Sequence, residues 1–391
     1  MTTYRDVLRH KEMPAVVLAH GISLTGSVAA EVALSVLVYS KTASPLLASL
    51  TLACAFVPQA VSAFALSPVV DRVPPRRLLV AIDLLCAALV GLMVLRGAHV
   101  AVLLLLAAGI GVVTPLFSGA RAAALADVLH GEVWVRARSL MRVLGQSALL
   151  LGFAVGGAAL TVVSPQTLLV LDAVSFVASA ALLRFGTSER PARRTAHERA
   201  SLGAAVAALR HPRLRRVLLM TWVPAACVCS IDALATPYAS PSTVGIAALL
   251  AAAAAGSILS EVVGRHVTRP LPVALLLGTM LLLALHPPVW LAVPLVLVTM
   301  QAGAIGQLLD GHLLAALPEH LRGQLLSLQQ GLFMGVQGAS IALAGALAEV
   351  WRPQYVLAGA GALGVLATLV LLPRVCADPA AREDAAVPSV S

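Results

Sequence analysis

Few ionisable side chains interrupt the apolar stretches of this chain, and those that do recur at helical spacing. His20, Ser23, Ser27, Glu31 and Ser35 follow one another at intervals of three and four, which places them on one face of a helix. Thr221, Cys229, Asp232 and Thr236 form a sparser stripe of the same kind in the second half. A charged group at the centre of a bilayer costs at least ~2.5–3.5 kcal/mol on insertion scales, so such residues persist mainly where they face a cavity or a partner. Glu31 and Asp232 are therefore candidate carriers of a proton that loads and unloads as a cavity alternates between water and protein. The competing reading of each acid is a protonated carboxyl bonded to a neighbouring helix, and Asp232, close to Pro237 and Ser240, also fits a position near the interface. His20, Ser23, Ser27, Ser35, Thr221 and Thr236 are candidates to line a substrate cavity, joined by Gln330, Met334 and Gln337, which share a face further along. Buried amides such as these, and Gln301 and Gln307, either bind substrate oxygens or bond adjacent helices, and the second role is the commoner. Asp83 reads as an interface anchor near a span end, and Asp172 as a packing or capping group near the other end of its span.

The elements that must hold these residues follow from composition. Of 391 residues, 59% are hydrophobic and only 12% charged, about half the charge of an ordinary soluble domain. Runs such as Val100 to Gly111 and Ala247 to Ile258 are continuously apolar, which fits spanning helices and not the alternating strands of a membrane barrel. Breaking the chain at charged, Pro and Gly punctuation gives spans near 14–40, 44–66, 78–96, 100–120, 139–162 and 166–185, then 215–238, 243–263, 270–286, 289–314, 325–349 and 353–373. The fold class is thus all-α integral membrane, with twelve transmembrane helices in two pseudo-symmetric six-helix bundles. The expected organisation is a cytoplasmic N-terminus (1–13), an N-terminal bundle (14–185), a basic linker with an amphipathic helix (186–214), a C-terminal bundle (215–373) and a disordered tail (374–391). The helix in the linker is read from Leu202, Ala205, Val206 and Leu209 at helical spacing.

The charge pattern supports that count. With both termini cytoplasmic, 24 of the 27 basic residues fall on the inside and only Lys41, Arg96 and Arg352 outside, and deleting one span would reverse every later loop. The formal charge of +9 therefore reports orientation and not a nucleic-acid partner. The five cysteines lie mostly in apolar runs, so neither disulfides nor a metal site are expected, and no cofactor is implied. Sequence motifs for phosphate loops, zinc proteases or serine hydrolases are absent, which argues against an enzyme and against ATP drive.

Several local patterns resemble the major facilitator superfamily. Ser67-Pro-Val-Val-Asp71-Arg72-Val-Pro-Pro-Arg76-Arg77 is similar to its G-x-x-x-D-R-x-G-R-R signature, with Ser67 in place of the leading glycine. Leu317-Pro318-Glu319-His320-Leu321-Arg322-Gly323-Gln324 resembles the P-x-x-L-R-G-R of a branch that contains macrolide and enterobactin exporters, and Asp172-Ala-Val-Ser175-Phe176 resembles that branch's D-x-x-S-F. The resemblance implies a secondary transporter of a hydrophobic or amphiphilic small molecule (a drug, an antibiotic or a siderophore-like compound), driven outward by protons through alternating access. It further implies a monomer in the plasma membrane, with a cytoplasmic gate drawn from Asp71, Arg72, Arg76, Arg77, Asp310 and Arg322. Two departures bear on coupling. Phe153 stands where antiporters of the superfamily carry a proline in G-P-x-x-G-G, and Gly26-Ser27 replaces a Gly-Asp pair, with the acid one turn later at Glu31. An importer or uncoupled facilitator of the same fold, and a non-transporting scaffold or sensor, are the competing readings.

Overall fold

A computed structural model describes residues 7–66, 69, 72–95, 98–129, 131–190, 212–263, 271–303 and 322–376. Among these there are no strands and twelve α-helices: α1 (Met13–Thr42), α2 (Pro45–Ala65), α3 (Pro75–Met93), α4 (Val100–Val128), α5 (Gly131–Ala159), α6 (Pro165–Gly186), α7 (Pro212–Ala239), α8 (Thr243–Val263), α9 (Leu271–Gly278), α10 (Val289–Met300), α11 (Arg322–Val350) and α12 (Pro353–Cys376). Eight of them are long and apolar enough to cross a membrane. Proline marks many of the starts. In α1, α2, α3 and α6 it occupies the first turn, where its missing N–H costs no hydrogen bond. Ser44 and Ser164 cap α2 and α6 by accepting from the N–H groups of Leu47 and Thr167 at 3.1 and 3.3 Å.

Internal prolines are tolerated. Helix α7 runs unbroken through Pro224 and Pro237, although the sequence marks both as interruptions; neighbouring helices can satisfy the freed carbonyls in a membrane bundle. The short ninth span is instead where regular structure gives way: α9 tightens into a 3₁₀ stretch over Thr279–Leu285 that ends at His286 with φ of 46°. The linker helix read over Leu202–Leu209, the tail after Cys376, and Asp71, Gln307 and Asp310 lie outside the described residues.

Packing repeats between the halves. In the first, α1 contacts α5 and α6, α2 contacts α4, and α3 contacts α6; in the second, α7 contacts α11 and α12, α8 contacts α10, and the 3₁₀ continuation of α9 contacts α12. Adding six to each helix number converts one set into the other. Between halves the main pairs are α2 with α11 and α5 with α8, which the same pseudo-two-fold exchanges. One apolar core, holding Met13, Leu79, Leu103 and Leu183, belongs to the first half. A second draws Val28, Val32, Leu52 and Phe153 together with Ile231, Leu234, Leu250 and Ile341, and so joins both halves.

Small residues permit these approaches. A side chain at Gly152 or Gly156 would meet Val28 or Ala29 of α1, and one at Gly157, on the neighbouring face of α5, would collide with Ala247 of α8. Gly157→Leu is expected to destabilise the protein by about 1–3 kcal/mol through overpacking. Gly91→Leu, where added atoms meet nothing within 4 Å, serves as control; thermal unfolding of the two variants in detergent checks the difference.

Candidate functional site

Glu31 and Asp232 occupy equivalent places on α1 and α7. One turn beyond each, the hydroxyls of Ser35 and Thr236 share a buried hydrogen bond of 3.0 Å across the halves, 201 positions apart in sequence, and Asp232 follows Glu31 at the same offset. Residues four apart stack on one helix face, so each carboxyl lies one turn from that bond on its own helix, at the junction of α1 and α7. Both are half-buried at the surface between the bundles. Such a pair holds a cation, a proton included, more readily when the halves enclose it than when water screens it.

Asp172 of α6 joins this group. It is 2% exposed, accepts from Ser175 Oγ at 3.2 Å, and interacts electrostatically with Glu31. Gly26 makes room for it: a Cβ there would lie 2.8 Å from Asp172 Oδ1. The α1–α6 approach encloses the carboxyl and Ser175 serves it, which is a packing role between helices. The expectation for Asp83 is corrected. It is 1% exposed and accepts from Ser179 Oγ at 2.6 Å, so it is an internal polar link between α3 and α6 and not an interface anchor.

The other candidate residues divide. Ser23 is buried and its carbonyl accepts from Ser27 Oγ at 2.9 Å. His20 pairs through Nδ1 with the guanidinium of Arg121 from α4, itself 5.7 Å above the Phe117 ring, and so turns into the N-terminal bundle. Arg121 carries no motif that would single it out among loop arginines; only the inward rotation of α4 makes it visible. Thr221 Oγ1 bonds back to the carbonyl of Val217, and Gln337 Nε2 reaches Cys229 Sγ at 3.3 Å, tying α11 to α7. Met334 is half-buried on α11 beside that link. The side chains of Gln330 and Arg322 lie outside the described residues. Gln301 bonds the carbonyls of Gly256 and Leu297 at 2.9 and 3.1 Å, which is the helix-bonding role. Among the described residues no group of three His, Cys, Asp or Glu side chains is arranged to hold a metal.

Of the gate candidates, Arg72 is exposed. Arg76 donates to the carbonyl of Arg184 and Arg77 pairs with Glu189, so both tie α3 to the end of α6 and the chain that follows it, within one half. Beside them Arg190 grips Glu12 through two bonds of 2.9 and 2.6 Å, sealing a crevice between α1, α3 and α4 that Arg76 and Arg121 also line. Burial disfavours the charged form of Glu12, yet the bonds and charge of Arg190 with those of Ser188 outweigh it and hold the carboxyl below its ordinary range.

The sequence profile of the Major Facilitator Superfamily matches residues 16–308. No curated protein matches the chain. Solved structures similar to it include the nucleoside transporter NupG, with a TM-score of 0.73 at 12% identity over 92% of this chain and 98% of that one. A peptide transporter POT in complex with sulfate gives 0.67 at 15% identity, over 93% and 95%. A POT family transporter in complex with 5-aminolevulinic acid gives 0.65 at 12% identity, over 93% and 96%.

Two outcomes follow from the geometry. A double-mutant cycle of Ser35→Ala and Thr236→Ala should return a coupling of about 0.6 kcal/mol, and at most ~1.7, in unfolding free energy. Since the Glu12 carboxyl is held low, its ion pair stabilises the fold fully above the ordinary carboxylate range and loses that contribution as pH falls through the lowered value. The stability difference between the wild type and Glu12→Gln should accordingly shrink on acidification, as read by thermal unfolding across a pH series.

Proposed function

The chain belongs to the Major Facilitator Superfamily, and on that premise we propose that it is a proton-coupled exporter of a hydrophobic or amphiphilic small molecule working by alternating access. That it is a membrane transporter and not an enzyme follows from the family and the fold; coupling, direction and cargo are the proposal. The observation that carries it is the place of Glu31 and Asp232 on two helices from opposite halves, each one turn from the Ser35–Thr236 bond that joins them.

Two acids on opposite bundles change their surroundings whenever the bundles rock apart, which is what an alternating proton site requires. When the pair is enclosed, a shared proton relieves the repulsion of like charges. When the pair separates, each carboxyl meets water and the proton can leave. Asp172, bonded by Ser175, adds a third carboxyl on the N-terminal side. Around these acids the lining offers hydroxyls, the Cys229 thiol, the Gln337 amide and aliphatic walls. That chemistry suits an amphiphilic or weakly cationic cargo better than a sugar, whose recognition demands dense hydrogen bonding. In this reading Ser23, Ser27, Ser35, Thr221, Thr236, Gln330, Met334 and Gln337 face the cargo in one or another conformation. The protein acts as a monomer in the plasma membrane, without ATP, with both termini and the basic linker between the 14–185 and 215–373 bundles on the cytoplasmic side.

A second reading, uncoupled movement or uptake, is favoured by Phe153, which is buried at 9% exposure where related antiporters carry a helix-bending proline. The two readings separate in proteoliposomes carrying an imposed pH difference and an internal pH dye. For an exporter coupled to protons, adding an amphiphilic fluorescent cation should discharge the pH difference in the wild type. Glu31→Gln should reduce that discharge, and accumulation of the cation against its gradient, to the level of empty vesicles, while leaving downhill exchange intact. Equal discharge by both proteins would overturn the assignment.

A further inference from the structure

We propose that Glu349 is the latch of the gate at the end of the bundle opposite the linker, acting as a helix cap supplied by one half to the other. Helix α2 begins at that end with Pro45, and its first N–H groups have no carbonyl partner within the helix. Ser44, its own cap, accepts from the N–H of Leu47 at 3.1 Å. The next need is met from outside the bundle. Glu349, in the last turn of α11, accepts from the backbone N–H of Leu46 at 3.0 Å with Oε1, and the same oxygen accepts the hydroxyl of Ser44. A carboxylate at a helix N-terminus also sits at the positive end of the helix dipole. The arrangement therefore exists only while α11 and α2, which belong to different halves, lie together at this end.

The surrounding contacts place the latch at the rim of a layered closure. One turn inward, a side chain at Gly345 of α11 would collide with Ser49 of α2, and further in Gly338 lies against Val57. On the other side of the pseudo-two-fold, Gly157 meets Ala247, and at the axis Ser35 bonds Thr236. These inner contacts are made by small or uncharged residues. Glu349 is the charged member among the described cross-half bonds, and it is exposed, so it can exchange its two protein donors for water when the halves part. The arginines of the opposite end behave differently: Arg76 and Arg77 bond within the first half and the chain just after it. Closure at the end opposite the linker thus rests on a latch that the family-like signature at residues 67–77 does not contain.

This inference rests on alternating access but not on proton coupling, so a carrier that proved uncoupled would leave it standing. The test uses spin labels at Val162 and Val244, both well exposed at 81% and 62% and on opposite halves at this end, in the full chain with native cysteines replaced, reconstituted in nanodiscs. Pulsed dipolar spectroscopy reads the proportion of long, open-end distances. Glu349→Ala and Ser44→Ala should each raise that proportion about two- to fivefold, as expected for loss of a cap at a helix terminus. Glu349→Gln should shift it less, because its amide oxygen still accepts from Leu46. Distances unchanged in Glu349→Ala, or a shift in Glu349→Gln as large as that of Glu349→Ala, would overturn the proposal. Should Glu349→Ala fail to fold, Glu349→Gln and Ser44→Ala compared with wild type decide it by the same distances.

Discussion

How closely two helices can approach sets almost everything else in this protein. Water is absent from the bilayer core, so a carboxyl there survives only inside a shell of donors that neighbouring helices supply. Gly26 lets α6 come near enough to α1 to enclose Asp172, which accepts from Ser175, and Gly152 and Gly156 seat α1 on α5. With α1 held on both sides, Glu31 is left facing α7. Polar groups inside the bundle are thus positioned by residues that carry no polar side chain.

The same close packing distinguishes contacts within a half from contacts between halves. Within each half the contacts of α1 with α5 and α6 recur as those of α7 with α11 and α12. Across the halves the main contacts are α2 with α11 and α5 with α8, and the hydrogen bonds described there are that between two hydroxyls and those to a capping carboxylate. Bonds of that kind are replaceable by water or by one another at modest cost. Charge follows the same division. The arginines gathered near Glu12, Glu189 and Arg190 knit the first half to the chain after it, leaving the interface between halves to groups that change partners easily.

Fold class was legible from the sequence because hydrophobicity over some twenty residues is a local property, and because loop arginines report the sidedness of each span. The stripe from His20 to Ser35 was legible for a similar reason: helical spacing is fixed before any neighbour is chosen. Spacing gives a face, however, and not what the face meets. His20 lies on that stripe yet turns to Arg121 of α4, and Gln337 finds the thiol of Cys229. Asp172 looked shallow when counted from the end of its own span, but depth along one helix says nothing of what a neighbour's glycine admits.

What the sequence determined by itself was therefore a set of one-dimensional quantities: which segments are apolar enough for lipid, where prolines and serines start helices, and which acids lie where lipid will not tolerate them. What only the tertiary structure decided was partnership. The place of Glu31 and Asp232 beside one cross-half bond, the enclosure of Asp172, and the capping of α2 by Glu349 each join residues from helices distant in the chain, and each depends on helix rotations that arise when many small contacts are satisfied at once. No local pattern encodes a rotation, because the energy that fixes it is shared over the whole packed surface.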